Sequence, residues 1–309
     1  MTSPGNDSAD EADRLALVVV NFASSSLLAA NLVDPGLRSV IGFVVVVDNP
    51  STVDESRRVQ ELCAAHEWVL VELPRNEGFG AGVNAGVARA RELACTRVLA
   101  LNPDATIDPD SVRTLLAASR ADPRALVAPR IVRPDGGGWF SGAVLDPRTG
   151  TTRRASGIEL EGDSTWQTGA CFLVTIAMWD EVGGFDDDYF MYWEDIDLSW
   201  RWHEAGGRLV LLEDATAVHD PGGTQFGAGK SPLYVYFNCR NRLLFARKRF
   251  ASRFGRRWWP ASVRYAWSVA TRGSRRMLAK HPLLVWSAFR GTLAGAFGSL
   301  TPRRAPARR

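Results

Sequence analysis

Apolar and polar positions along the first hundred residues fall into blocks, each with the length of a strand or a helix. Leu15–Asn21 (LALVVVN) is a continuous apolar run closed by a polar residue, the pattern of a strand buried on both faces whose end opens onto a site. A short helix follows from about Ser24. Residues 40–48 are strand-like, 52–66 helical, 68–73 strand-like, 80–93 helical and 97–102 strand-like. Units of this length in alternation predict a Rossmann-like, doubly wound α/β sheet.

From 130 to 161 the chain turns rich in Gly, Pro and Arg, and the regular winding is expected to give way to an irregular excursion or hairpin. Residues 168–174 read as a further strand and Ile176–Val182 as a short helix, broken by Gly183-Gly184. Another helix is expected from Glu194 to about Ala205, stopped by Gly206-Gly207 before a strand over 208–212. Helices are predicted from Pro232 onward, and no internal repeat is present. The polar, acidic first 13 residues read as disordered and lack the order of a signal peptide.

In such a sheet ligands bind beyond the C-terminal strand ends, here Asn21, Asp48, Pro74 to Asn76 and Asn102 to Asp104. Asp48 suits a ribose or base contact, or equally a turn or helix cap. Gly80-x-Gly82-x-x-Ala85 satisfies a dinucleotide fingerprint and keeps a nicotinamide oxidoreductase open, but it follows the third strand rather than the first; close packing of a helix on the sheet explains it as well. Asn102-Pro103-Asp104 places a carboxylate in a sharp turn, fit for a divalent cation or simply for the turn before a helix capped by Asp108. The run Trp193-Glu194-Asp195-Ile196-Asp197 sets three carboxylates at a helix start. Asp197 can pair with Arg201 four residues on, which leaves an acid available as a general base. A lone His219 after a strand is more often structural than a ligand.

Four scattered cysteines without a C-x-x-C pair fit neither a zinc knuckle nor a disulfide scaffold and suit a reducing compartment. The net charge of +3 hides a split. Residues 240–309 hold 18 Lys and Arg and no acid, leaving 19 basic against 34 acidic residues, a net −15, before them. Arginines interleaved with aromatics over 236–248 could bind a diphosphate or form a solvated helix face. The tryptophan- and arginine-bearing stretches beyond them read as interfacial helices, and Arg290 within the last apolar run favours lying on an anionic membrane over spanning it. Such a tail also suits single-stranded nucleic acid, but no recognisable nucleic-acid module accompanies it.

Taken in order, VVVNF, VVVDNPST, RNEGFGAGVNAG, LALNPDA, TGACFLV, GGFDDDYFMYWEDIDLSWR and AVHDPGGT followed by CRNRLLFARK resemble the family 2 glycosyltransferases of the GT-A fold, in particular the bacterial rhamnosyltransferase and galactofuranosyltransferase branch. The resemblance runs from Leu15 to Lys248. It implies a catalytic domain over 14–230, with a nucleotide-sugar half near 14–104 and an acceptor half near 160–230, followed by a helical basic extension over 231–309. By the same resemblance Asp48 binds the nucleobase, and Asn21, Asn76, Gly78, Asn84 and Asn102 belong to the donor pocket. Asp104, the retained acid of the family's D-x-D motif, and His219 hold Mn²⁺ or Mg²⁺. Gly169 and Ala170 shape the acceptor side, where Trp193 also stands, and Arg240 and Arg242 meet a donor or lipid diphosphate. Asp195 is the implied base, with Glu194 orienting the acceptor, or the reverse. The implied reaction is inverting transfer, with rhamnose from dTDP-rhamnose first among donors, onto a glycan or polyprenyl-linked hydroxyl at the inner face of the plasma membrane. A catalytically silent sugar-nucleotide-binding subunit is the alternative.

Overall fold

The computed structural model of the chain describes residues 14–155, 162, 164–220, 231–271 and 282–298. The expected disorder before Arg14 and the glycine-rich stretch after His219 lie outside them. Strands β1 (Leu15–Asn21), β2 (Phe43–Asp48), β3 (Val69–Glu72) and β4 (Arg97–Leu101) pair in parallel in the order β3-β2-β1-β4. Helices α1 (Ser25–Asn31), α2 (Pro35–Arg38), α3 (Val53–His66) and α4 (Phe79–Glu92) connect them. Strand β5 (Ala105–Ile107) and helix α5 (Pro109–Ala121) lead into β6 (Ala125–Val132), then β7 (Gly138–Phe140), β8 (Ala143–Leu145), β9 (Thr152–Arg154) and β10 (Thr165–Trp166). Strand β11 (Cys171–Thr175), helices α6 (Ile176–Val182) and α7 (Glu194–Glu204), and β12 (Arg208–His219) complete the α/β part. Helix α8 (Pro232–Arg249) then leads through a short turn and a π-helical segment, Phe254–Trp258, to α9 (Trp259–Thr271) and α10 (Pro282–Phe297).

The main sheet is mixed, in the order β3-β2-β1-β4-β11-β6-β12-β5, with β7 added on β6; β8, β9 and β10 form a separate small sheet. β11 runs antiparallel to both β4 and β6. Its N-terminal end therefore meets the C-terminal ends of the parallel strands, and both kinds of end face one site. Alternate residues of β1 feed two cores: Leu15, Leu17 and Val19 join Val59 of α3 and Leu115 of α5, while Ala16, Val18 and Val20 join Val83 and Val87 of α4 and Trp202 of α7.

Gly82 of the candidate dinucleotide fingerprint, with Gly86 just beyond it, serves this packing. A Cβ on Gly82 would lie 2.7 Å from Val20 and one on Gly86 2.3 Å from Val18, so α4 approaches β1 more closely than any larger residue permits. The oxidoreductase reading has no support in this geometry. Thr52 caps α3 through the Glu55 amide and Asp108 caps α5 through the Asp110 and Ser111 amides, each such cap contributing about 1 kcal/mol.

The regular winding gives way after residue 132 to short antiparallel strands, as the expected hairpin excursion from 130 requires, but one strand before it carries no signal in the sequence. Residues 125–132 (ALVAPRIV) form an eight-residue strand at the centre of the mixed sheet, between β11 and β12. The strand expected over 208–212 runs on to His219 past a register shift between Leu212 and Thr216. That irregularity carries the exposed Glu213 and Asp214, after which the strand resumes its pairing with β6 and gains β5 on its other side.

Candidate active site

Each predicted strand end contributes to one edge of the sheet. Asn21 and Asp48 end neighbouring strands in register. Asn21 is fully buried, donates from Nδ2 to Asp48 Oδ1 at 2.9 Å, and accepts from the Ser24 amide and hydroxyl. Its amide is consumed in aiming Asp48, which corrects the expectation that Asn21 itself meets the donor. The next residue, Asn49, was missed by the sequence reading. It accepts from the Glu77 amide and donates to the Gly78 carbonyl, tying the β2 end to the loop before α4. In that loop Asn76 accepts from the Gly78 amide. Gly78 has φ +91°, and a Cβ there would sit 2.1 Å from the Phe190 carbonyl oxygen. Asn84 bonds both the amide and the carbonyl of Phe185 and also reaches Asp187. It staples α4 to the loop before α7.

The turn after β4 meets the start of β11. The Asn102 amide donates to the Ala170 carbonyl, and the Ala105 amide closes the turn on the Asn102 carbonyl. Asp104 follows, buried, and pairing of β12 with β5 sets His219 opposite Ala105. His219 Nε2 then lies 3.0 Å from Asp104 Oδ1. The His219 ring rests against Trp139, centroids 4.3 Å apart, and its Nδ1 has no hydrogen-bond partner among the described residues. A buried carboxylate oxygen and imidazole this close are the oxygen and nitrogen donors that a small divalent cation accepts. They fit a metal held by two side chains of the chain, since the described residues hold no group of three or more His, Cys, Asp or Glu able to bind one.

Helix α7 starts from two consecutive left-handed residues, Tyr192 at φ 65° and Trp193 at φ 75°, a backbone costing about 1 to 2 kcal/mol per non-glycine residue. Asn241 of α8, fully buried, donates to the carbonyls of Met191 (2.8 Å) and Tyr192 (2.7 Å) and holds this turn. Arg240 donates to the Asp188 carbonyl, Lys248 pairs with Asp186 and Asp188, and Arg249 grips Asp197. The basic run of α8 is therefore a clamp on the loop before α7. Arg242 is correspondingly corrected: fully buried, it donates to the Thr149 and Trp258 carbonyls and the Ser262 hydroxyl and lies against the Trp258 and Tyr265 rings. No diphosphate reaches it. Trp193 is also core, packed on Phe245 and Tyr265, and not an acceptor surface.

The three carboxylates at the start of α7 separate cleanly. Asp197 is fully buried between Arg201 and Arg249, whose charges lower its pKa against the opposing effect of burial. Glu194 and Asp195 have no cation partner among the described ion pairs. Burial pushes Asp195 up to about 6, opposed by hydrogen bonds from the Ile196 and Gly169 amides. Burial and the Asp195 charge raise Glu194 well above the ordinary carboxylate range, and its Oε2 is buried without a partner among the described residues. The two carboxyls are thus set apart, Glu194 raised by both burial and the Asp195 charge and Asp195 held back by two amide hydrogen bonds. Gly169 links it to the metal edge: its amide points at Asp195, a Cβ on it would strike the Phe79 ring at 2.9 Å, and its neighbour Ala170 bonds Asn102.

Losing the clamp has a measurable consequence. Asn241→Ala is expected to lower kcat about tenfold with the donor KM within about twofold, since two buried carbonyls are left unpaired and the turn relaxes. Steady-state kinetics well below the melting temperature check this; an unchanged kcat would remove Asn241 from any positioning role.

A mixed sheet with an acidic, ligand-facing edge and a carboxyl pair on the opposite wall is the architecture of GT-A glycosyltransferases. Residues 35–195 match Glycosyl transferase family 2, and the chain belongs to that family. It is 30% identical over 224 residues to the N-acetylglucosaminyl-diphospho-decaprenol L-rhamnosyltransferase of Mycobacterium tuberculosis, covering 63% of this chain and 70% of that protein. Among solved structures it superposes on a mannosyltransferase from Pyrobaculum calidifontis in complex with GDP-Man and Mn²⁺, with TM-score 0.53 and 18% identity over 93% of this chain and 76% of that one. It also superposes on GalNAc-T7 with UDP, GalNAc and Mn²⁺, with TM-score 0.54 and 15% identity over 77% of this chain but only 51% of that longer one. The protein is a glycosyltransferase.

Proposed function

We propose that this glycosyltransferase moves a sugar, with inversion, from a nucleoside-diphosphate donor to a hydroxyl of a polyprenyl-diphosphate-linked glycan in cell-wall or surface polysaccharide synthesis. Rhamnose from dTDP-rhamnose is the first donor to test, supported by the similarity to the mycobacterial rhamnosyltransferase. The observation that carries the reading is the carboxyl pair Glu194–Asp195, without a cation partner among the described residues while Asp197 beside it takes two.

Asp195, ionised above about pH 6, takes the proton from the acceptor hydroxyl as that oxygen bonds to the anomeric carbon. The bond from the anomeric carbon to the diphosphate oxygen breaks on the opposite face, and its electron pair leaves with the nucleoside diphosphate. Glu194, whose carboxyl burial and the Asp195 charge push toward the protonated form, orients the acceptor by a hydrogen bond. Asp104 and His219 would hold a divalent cation, Mn²⁺ or Mg²⁺, whose charge offsets that of the departing diphosphate. The presence of Mn²⁺ in the two solved relatives supports this.

The test is a donor screen with Mn²⁺, reading nucleoside-diphosphate release with and without a polyprenyl-linked acceptor. Release from dTDP-rhamnose that rises with acceptor is the expected result. Turnover with no nucleotide sugar, alongside intact donor binding, would favour a catalytically silent binding subunit.

A further inference from the structure

Helices α9 and α10 present a surface that the active site does not use. On α10, Trp286, Phe289, Leu293 and Phe297 recur at helical spacing and are all exposed, Trp286 by 55% and Phe297 by 76%. On α9, Trp259, Val263 and Trp267 recur every fourth residue, and Val263 is 80% exposed. The Trp259 and Phe297 rings meet at 5.8 Å, joining the two stripes into one apolar face. Isolated exposed apolar residues are ordinary, whereas a continuous aromatic face of this kind marks an interaction surface.

The face does not belong to an unfilled core, because the opposite side of α10 is already seated. Leu284 and Ala288 are buried there, and Gly291 and Gly295 lie so close to α8 that a Cβ on either would fall 2.2 Å from the carbonyl oxygen of Tyr236 or Arg240. Arg247 of α8 fastens the end of α10 through the Gly298 carbonyl. Exposed arginines border the face: Arg253, Arg256 and Arg257 before α9, Arg264 on it and Arg290 on α10. No Asp or Glu follows Asp220 anywhere in the sequence.

We propose that the aromatic face of α9 and α10, with its arginine border, docks onto the headgroup region of an anionic lipid bilayer. Aromatic rings enter the interface while guanidinium groups stay at the phosphates. No helix among the described residues is long and apolar enough to cross a membrane, so the contact is interfacial. Since α10 is locked to α8, and α8 clamps the loop before α7 and, through Arg249, Asp197 of α7 itself, docking fixes the height of Glu194 and Asp195 above the lipid. This serves the lipid-linked acceptor proposed above, but its test reads neither donor nor transfer, so each can fail without the other.

Full-length protein is sedimented with vesicles of phosphatidylcholine alone or mixed with phosphatidylglycerol, beside the double variant Trp286→Ser, Phe289→Ser. The wild type is expected to bind the anionic vesicles, more weakly as salt rises, and the variant to bind about a hundredfold less tightly at an unchanged melting temperature. Equal binding of both proteins, or none by the wild type, would overturn the proposal. A dimer seen by light scattering that the variant loses, with vesicle binding intact, would assign the face to a second copy of the chain instead.

Discussion

Asp195→Asn is expected to lower the transfer rate about a thousandfold while leaving Mn²⁺-dependent donor binding within about twofold, because the variant removes the proton acceptor and keeps the side chain's shape. The pH profile of the wild type belongs to the same expectation. With Asp195 pushed up to about 6, kcat/KM should climb from pH 5 to 7 along an acid limb set by that carboxyl. Stability should move the opposite way. The folded pKa lies above the ordinary value of 3.8, so ionising Asp195 costs folding free energy fully above about pH 6, and the cost fades to nothing below about pH 4. Asparagine does not ionise, so the variant should be more stable than wild type by on the order of 1 to 2 kcal/mol at neutral pH, and not at pH 4. Initial rates, donor titration calorimetry and thermal melts at the two pH values check the three parts. A variant that transfers at near wild-type rate would move the base role to Glu194 or out of the pair.

How much of this was legible beforehand depended on whether the signal was local. The bounds of β1 and α6 match the sequence reading, because an unbroken apolar run and a Thr175 cap before Ile176 with Gly183 after Val182 are written in neighbouring residues. β6 was missed because Pro129 and Arg130 break its apolar run, and what holds it is pairing with β11 and β12, elements remote in sequence. The mixed character of the sheet follows from the same long-range pairing, which no periodicity encodes.

The acids of the site were legible by type and place, and their division of labour was not. That Asp197 would find Arg201 was readable from their spacing; that Arg249 would complete its neutralisation, leaving Glu194 and Asp195 alone, needed α8 folded back across α7. The basic run over 236–248 reads, from sequence alone, as a phosphate site or a solvated face. One signal pointed elsewhere: Asn241 stands three and four residues before the buried Leu244 and Phe245, an amide within an apolar stripe, where a specific buried partner is required. Asn49 offered no such cue, since an Asn after a strand end is commonplace in turns.

The metal edge yields the other large effect. Asp104 and His219, remote in sequence, meet at 3.0 Å because β12 continues past its register shift to pair with β5, which sets His219 opposite Ala105. With two candidate protein ligands among the described residues, affinity for the cation should depend on a diphosphate supplying the rest. Calorimetry is therefore expected to show weak Mn²⁺ binding to the chain alone and tight binding once a nucleoside diphosphate is present. Asp104→Ala should abolish that synergy and lower transfer about a hundredfold or more, since it removes the only carboxylate of the pair. His219→Ala should weaken the synergy less, because a carboxylate carries the charge and an imidazole does not. The Mn²⁺ titration reads the site without turnover. Unchanged synergy in Asp104→Ala would show that the carboxylate merely closes the turn after β4 and that the diphosphate is neutralised by other groups.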